Sequence, residues 1–148
     1  MNPSQPTDKL MILMADDDED DRDLVRDVFH DGQLPGELTF VNDGQELIDY
    51  LRGKPPHRGA SRPQIILLDL NMPRKDGHEA LVEIKADNEL CDIPVVVLTT
   101  SRNQDDILSS YRQGASSFIA KPTTHTGLID AMRDLTEYWL NLVELPVP

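Results

Sequence analysis

Asp69 follows the apolar run Ile65-Ile66-Leu67-Leu68 and opens the string Asp69-Leu70-Asn71-Met72-Pro73. Taken alone, an acid at such a place reads as a turn or helix-cap residue. Three other strand-like runs change that reading: Asp16-Asp17 close the first, Thr99 closes another, and Lys121 follows the last. Three carboxylates, a hydroxyl and an ammonium are thus drawn from four separate parts of the chain. Carboxylates a few ångströms apart repel, and they stay ionised together only with a cation among them. Oxygen ligands without His or Cys suit Mg²⁺. A divalent cation, an ammonium and a hydroxyl donor complement a phosphoryl group, whose transfer needs charge neutralisation and alignment more than covalent help. A carboxylate left free to attack would be the acceptor, giving an aspartyl phosphate.

The elements that must position these groups alternate between two periodicities. Strands are predicted at residues 10–15, 37–41, 65–68, 94–99 and 117–120, the fourth being the richest in β-branched residues. Helices are predicted between them: Asp21 to Phe29, stopped by Gly32; one after Asn42-Asp43-Gly44 through Leu47, Ile48 and Leu51; Gly77 to Ala86; one through Ile107, Leu108 and Tyr111, ending at Gly114; and Thr126 to Asn141. The stretch Arg52 to Pro63, rich in Gly, Pro and basic residues, is the one long connection, and it reads as flexible. Five strands alternating with five helices predict a doubly wound five-stranded parallel sheet covered on both faces, an α/β flavodoxin-like (βα)5 fold. In such a sheet the loops at the carboxyl ends of the strands share one edge, and the five chemical residues all fall there. One domain fills residues 1–148, with a core of about 9–140 and an apolar C-terminal extension from about 138.

Charge and composition narrow the possibilities. A net charge of −13 opposes non-specific binding to nucleic acid or to an anionic membrane surface. The single cysteine, Cys91, forms no internal disulfide and lacks an activating neighbourhood, so it reads as inert in a reducing cytoplasm. The apolar stretch Leu10 to Ala15 is too short for a signal peptide or a membrane span. Seven of the eight residues from Asp16 to Asp23 are acidic; beyond Asp16 and Asp17 these read as helix-dipole partners or surface. Asp76-Gly77 reads as a turn and cap. His30, His57, His78 and His125 show no metal-ligand or triad spacing, and all four read as solvent-facing.

Together and in this order, Asp16-Asp17, the string from Asp69 to Gly77, Thr99 and Lys121-Pro122 resemble the receiver domain of two-component response regulators. The resemblance implies that Asp69 is the phosphoacceptor, that Asp17 binds Mg²⁺ directly with Asp16 acting through water, and that the Asn71 backbone carbonyl is a further ligand. It also implies that Thr99 hydrogen-bonds the phosphoryl group, that Lys121 pairs with it, and that Pro122 follows a cis peptide bond. Thr99 and Phe118 would form the switch; many receivers carry Tyr where Phe118 stands, and Phe lacks the hydroxyl that distinguishes its two positions. The fourth helix, fifth strand and fifth helix would then display the state of the site. The chain would be no enzyme beyond its own phosphorylation and dephosphorylation, with no attached output domain and a sensor histidine kinase as partner.

The apolar ending Tyr138-Trp139-Leu140-Asn141-Leu142-Val143-Glu144-Leu145-Pro146, together with Arg52 to Pro63 and Val97 to Ser101, resembles the small regulators paired with phytochrome-type histidine kinases. It is either a lid on the core or a partner surface; the partner reading predicts a homodimer through the fourth helix, fifth strand, fifth helix and this tail. Two other functional classes fit the residues less well. A phosphohydrolase of the aspartyl-phosphate type needs a second acid two residues after the nucleophile, where Asn71 stands. A receiver retained only for protein binding predicts loss of the acceptor, the acid pair or the lysine, and all are present.

Overall fold

The computed structural model describes residues 10–31 and 34–146. Its strands are β1 (Leu10–Ala15), β2 (Gly36–Val41), β3 (Ile65–Leu68), β4 (Val95–Thr99) and β5 (Ser117–Ala120). The helices are α1 (Glu19–His30), α2 (Gly44–Leu51), α3 (Gly77–Ala86), α4 (Gln104–Arg112) and α5 (His125–Glu137). The expected stop at Gly32 lies outside the described residues.

All pairings are parallel, in the order β2-β1-β3-β4-β5. The sheet is therefore the predicted doubly wound one. Register explains how it gathers the site. Ala15 lies opposite Leu68, Leu68 opposite Val97, and Thr99 opposite Ala120. The residues that follow those ends, Asp16, Asp69 and Lys121, consequently emerge along one rim.

Alternate residues of each strand serve opposite faces, as strand geometry requires. Leu13, Ala15, Ile66, Leu68, Val95 and Val97 join a core with Leu47 and Ile48 of α2 and Ala80, Leu81 and Ile84 of α3. Leu10, Ile12, Met14, Ile65, Leu67, Val96 and Leu98 join a second core with Val25, Val28 and Phe29 of α1 and Leu128, Met132 and Leu135 of α5. The near-continuous apolar runs in β3 and β4 are the signature of strands buried on both faces.

Each helix begins with a side-chain cap: Asp18, Asp43, Asp76, Asn103 and Thr124 accept from a backbone N–H two or three residues on. Asp76 and Glu79 form a reciprocal capping box, as the turn-and-cap reading of Asp76 expected. These acids are structural, which separates them from Asp16, Asp17 and Asp69.

The C-terminal end departs from expectation. Regular α5 stops at Glu137, and Tyr138–Leu142 form a π-helical turn rather than more α-helix. Trp139, Leu140 and Leu145 pack on the α1–α5 core, whereas Tyr138 and Leu142 remain exposed. The wider turn lets this segment share its apolar residues between lid and surface. The Arg52 to Pro63 connection is also better anchored than a flexible loop: Pro63 is buried, Tyr50 donates to the Ser61 carbonyl, and Arg62 bonds the Glu89 carbonyl and Asp92.

Candidate functional site

Carboxylate oxygens of Asp16, Asp17 and Asp69 lie within 4.8 Å of one another. Asp16 is 1% exposed and Asp69 6%, while Asp17 opens to solvent. Ionised carboxylates this close and this dry call for positive charge. Lys121, itself buried, supplies it from the end of β5. Its Nζ donates to Asp16 Oδ2 at 2.7 Å, to Asp21 Oδ2 at 2.9 Å and to Asp69 Oδ2 at 3.3 Å. The other Asp69 oxygen accepts from Thr99 Oγ1 at 2.8 Å and from the Asn71 N–H at 3.1 Å. Asp69 therefore serves its own turn as well as the cluster.

The electrostatics are unequal across the pairs. Burial pushes the Asp16 carboxyl up to about 6, against the pull of Lys121 and the Asp18 N–H, and the charge of Asp69 adds to the rise. Burial would also lower the Lys121 ammonium, but its contacts with Asp16, Asp21 and Asp69 raise it above its ordinary value. The lysine stays charged, and Asp16 is the member of the cluster held under strain. A divalent cation would relieve such strain, and a donor set of three carboxylates fits one that prefers oxygen.

Around this centre the structure adds contacts that the residue pattern did not reveal. Asp21, read as helix-dipole or surface acid, turns inward from the first turn of α1 to reach Lys121. Ser101 donates to Asp106 at 2.6 Å, and His78 lies between Asp106 (3.2 Å) and Gln113 (2.8 Å), tying the loop after Thr99 to α3. His78 is thus not solvent-facing, nor is His57, which sits against Glu46 and the Tyr50 ring; His30 and His125 are exposed as expected.

Phe118 is half-buried against the α2–α3 core, and its N–H donates to the Tyr111 hydroxyl at 3.1 Å. The Lys121–Pro122 bond is trans, correcting the cis expectation; among the described residues the cis bond is at Pro55-Pro56. Trans is the lower-energy isomer of such a bond. Ion pairing to three carboxylates turns the Lys121 ammonium inward without the cis geometry.

The family model for the response regulator receiver domain matches residues 12–133, a span that holds every residue of this cluster. The chain belongs to the response regulator receiver family. Among curated relatives of this receiver, response regulator Rcp1 of Synechocystis sp. is 38% identical over 136 residues, covering 92% of each chain. The probable methanogenesis regulatory protein FilR2 of Methanothrix harundinacea is 36% identical over 143 residues, covering 95% of this chain and 90% of its own. Among solved structures, that of the phosphorylated cyanobacterial phytochrome response regulator RcpA superposes with a TM-score of 0.88 at 40% identity, over 94% of this chain and 99% of that one. The Mn²⁺-bound form of Rcp1 follows at 0.86 and 37%, over 93% and 99%. The receiver is a two-component signalling protein with a flavodoxin-like fold, and its acidic cluster suits a divalent cation. No helix among the described residues is long and apolar enough to cross a membrane.

Proposed function

We propose that Asp69 accepts a phosphoryl group from a phosphohistidine of a sensor kinase, with Mg²⁺ as the cation. One observation carries this reading: a single buried carboxylate, Asp69, is reached at once by Lys121, by Thr99 and by the acid pair at the end of β1. Asp17, Asp69 and the Asn71 carbonyl would hold the cation, with Asp16 acting through water. The cation supplies charge neutralisation to the phosphoryl oxygens. An Asp69 oxygen attacks phosphorus, the P–N bond breaks, and the leaving imidazole keeps the electron pair and takes a proton from water. Lys121 pairs with one phosphoryl oxygen and Thr99 donates to another. Moving the Thr99 hydroxyl from carboxylate to phosphoryl pulls on the loop that ends at Ser101, and Phe118 answers on β5. The α4-β5-α5 face then reports the state.

Incubation with acetyl phosphate and Mg²⁺ followed by intact mass tests the core of this reading. One acid-stable, base-labile phosphoryl addition is expected in the wild type and none in Asp69→Asn. A folded wild type that takes up no phosphoryl group ends the proposal.

Two partner readings go with it. RcpA is a phytochrome response regulator, so a phytochrome-type kinase in the cytoplasm is the favoured donor; phosphotransfer from purified kinases would decide between it and the kind of pathway FilR2 is named for. A homodimer is supported by the edge position of β5 and by exposed Leu108 and Tyr111 on α4 and Tyr138 and Leu142 in the turn after α5. Light scattering of the wild type beside Leu142→Asp and a truncation after Glu137 is expected to show a dimer only in the wild type. A monomeric wild type, with or without acetyl phosphate, rules the dimer out.

A further inference from the structure

The role given to the Asn71 carbonyl requires the loop from Asp69 to Gly77 to hold one shape. Its start is fixed: the Asp69 N–H bonds the Ala15 carbonyl, and Leu70 and Met72 are buried. Gly77 fixes its end, donating to the Leu70 carbonyl at 3.0 Å, and an added Cβ there would collide with the Asp69 carbonyl oxygen. Between these points Pro73 and Arg74 are exposed and have no apolar anchor.

What holds that stretch is the start of α2. Arg74 Nε donates to Asp43 Oδ2 at 2.9 Å and its Nη2 to Oδ1 at 3.0 Å, a two-point fork onto a carboxylate that is 8% exposed. Beside it the Gly44 N–H donates to the Lys75 carbonyl at 2.9 Å. Arg74 is also the one non-glycine residue among those described with a positive φ, 64°. A long side chain visits that region only where its surroundings hold it. Capping α2 does not explain the acid, because Asn caps equally well. The full charge and the paired oxygens matter for Arg74.

We propose that the Asp43–Arg74 pair is a positioning clamp that fixes the loop bearing the Asn71 carbonyl and so sets the affinity of the Asp16–Asp17–Asp69 cluster for its divalent cation. The inference rests on the reading of that cluster as the cation site. The clamp makes the N-terminus of α2 a control point for cation binding.

Electrostatics and clamping predict different signs, which makes the pair testable. Removing the Arg74 charge alone would strengthen cation binding, and removing the Asp43 charge alone would weaken it. Releasing the loop weakens binding in both. The experiment titrates Mn²⁺ into the metal-free full chain and follows free Mn²⁺ by electron paramagnetic resonance, with urea midpoints to confirm folding. Arg74→Ala and Asp43→Asn are each expected to raise the Kd by about tenfold, the low end for partners outside the ligand set. The double variant is expected to be no worse than either single one. Arg74→Gly, which adopts the positive φ freely, is expected to bind as weakly as Arg74→Ala.

Opposite shifts in the two single variants, wild-type affinity in Arg74→Gly, or unchanged Kd in folded variants would each overturn the clamp. A wild type that binds no Mn²⁺ would instead remove the cation site itself, and the clamp with it.

Discussion

Replacing Asp16 with Asn is expected to make the metal-free protein more stable, and by an amount that depends on pH. Asp16 is 1% exposed, so solvent does little to screen it, and its carboxyl is pushed from 3.8 up to about 6, chiefly by burial. The folded value lies above the unfolded one. The contribution of the Asp16 carboxyl to stability is therefore fully present below pH 3.8 and is lost as pH rises through 6. A shift of that size corresponds to about 3 kcal/mol at pH 8 and about 1 kcal/mol at pH 4.5. Asn carries no charge at either pH, so the variant should exceed the wild type by those margins, or by about 6–12 °C in Tm at the higher pH. Urea unfolding in EDTA at the two pH values measures both gaps. Saturating Mg²⁺ should restore the wild type by about 2.7 kcal/mol at a hundredfold excess over Kd, and it should restore the variant by much less. An Asn variant less stable than the wild type at pH 8, or a gap that does not change with pH, would refute the assignment of Asp16 as a strained carboxylate.

Gly44→Ala should destabilise the fold by about 2–3 kcal/mol, because the new Cβ meets the Lys75 carbonyl oxygen and neither backbone can yield; a thermal melt reads this directly. Thr99→Val keeps the side-chain volume but removes the hydroxyl that donates to Asp69. It should still take up a phosphoryl group from acetyl phosphate, while hydrogen exchange in α4 and β5 no longer responds to it. Asp106 is held below its ordinary carboxylate value by the Ser101 hydroxyl and then by His78. Because that value is depressed, its stabilisation is present above the unfolded pKa and disappears as pH falls through the folded one. Asp106→Asn should thus cost about 0.5 kcal/mol at pH 7, discounted for its exposure, and nothing near pH 2; urea midpoints at both pH values would check it.

The sheet and its rim were legible because burial on two faces leaves a plain mark in sequence. Ile65 to Leu68 and Val95 to Leu98 are uninterrupted apolar runs, and whatever polar residue ends such a run must stand at the rim. Asp69, Thr99 and Lys121 were found in that way. Asp21 was hidden because direction within a helix turn is set by tertiary packing: among seven neighbouring acids, nothing local says which one turns inward. The same limit hid His78, whose partners Asp106 and Gln113 lie on a different helix and just beyond its end. The Asp43–Arg74 pair spans 31 residues and joins two loops, so spacing carried no trace of it. The cis expectation at Pro122 came from resemblance, not from the residues, and here three ion pairs on Lys121 achieve the same inward direction over a trans bond.

An ammonium has three hydrogens, and in this structure Lys121 has three carboxylate partners, Asp16, Asp21 and Asp69. No donor is left in reserve. On the proposed role of Lys121, a phosphoryl oxygen would be received only by displacement: one existing bond would be given up for each new one. The contact to Asp69 is the longest of the three and Asp21 is the most open to water, so these are the bonds that will exchange. If Asp21 is the one released, the news reaches the first turn of α1. Modification of one rim residue would then change the helix that begins at the same rim, through a vacancy rather than a push.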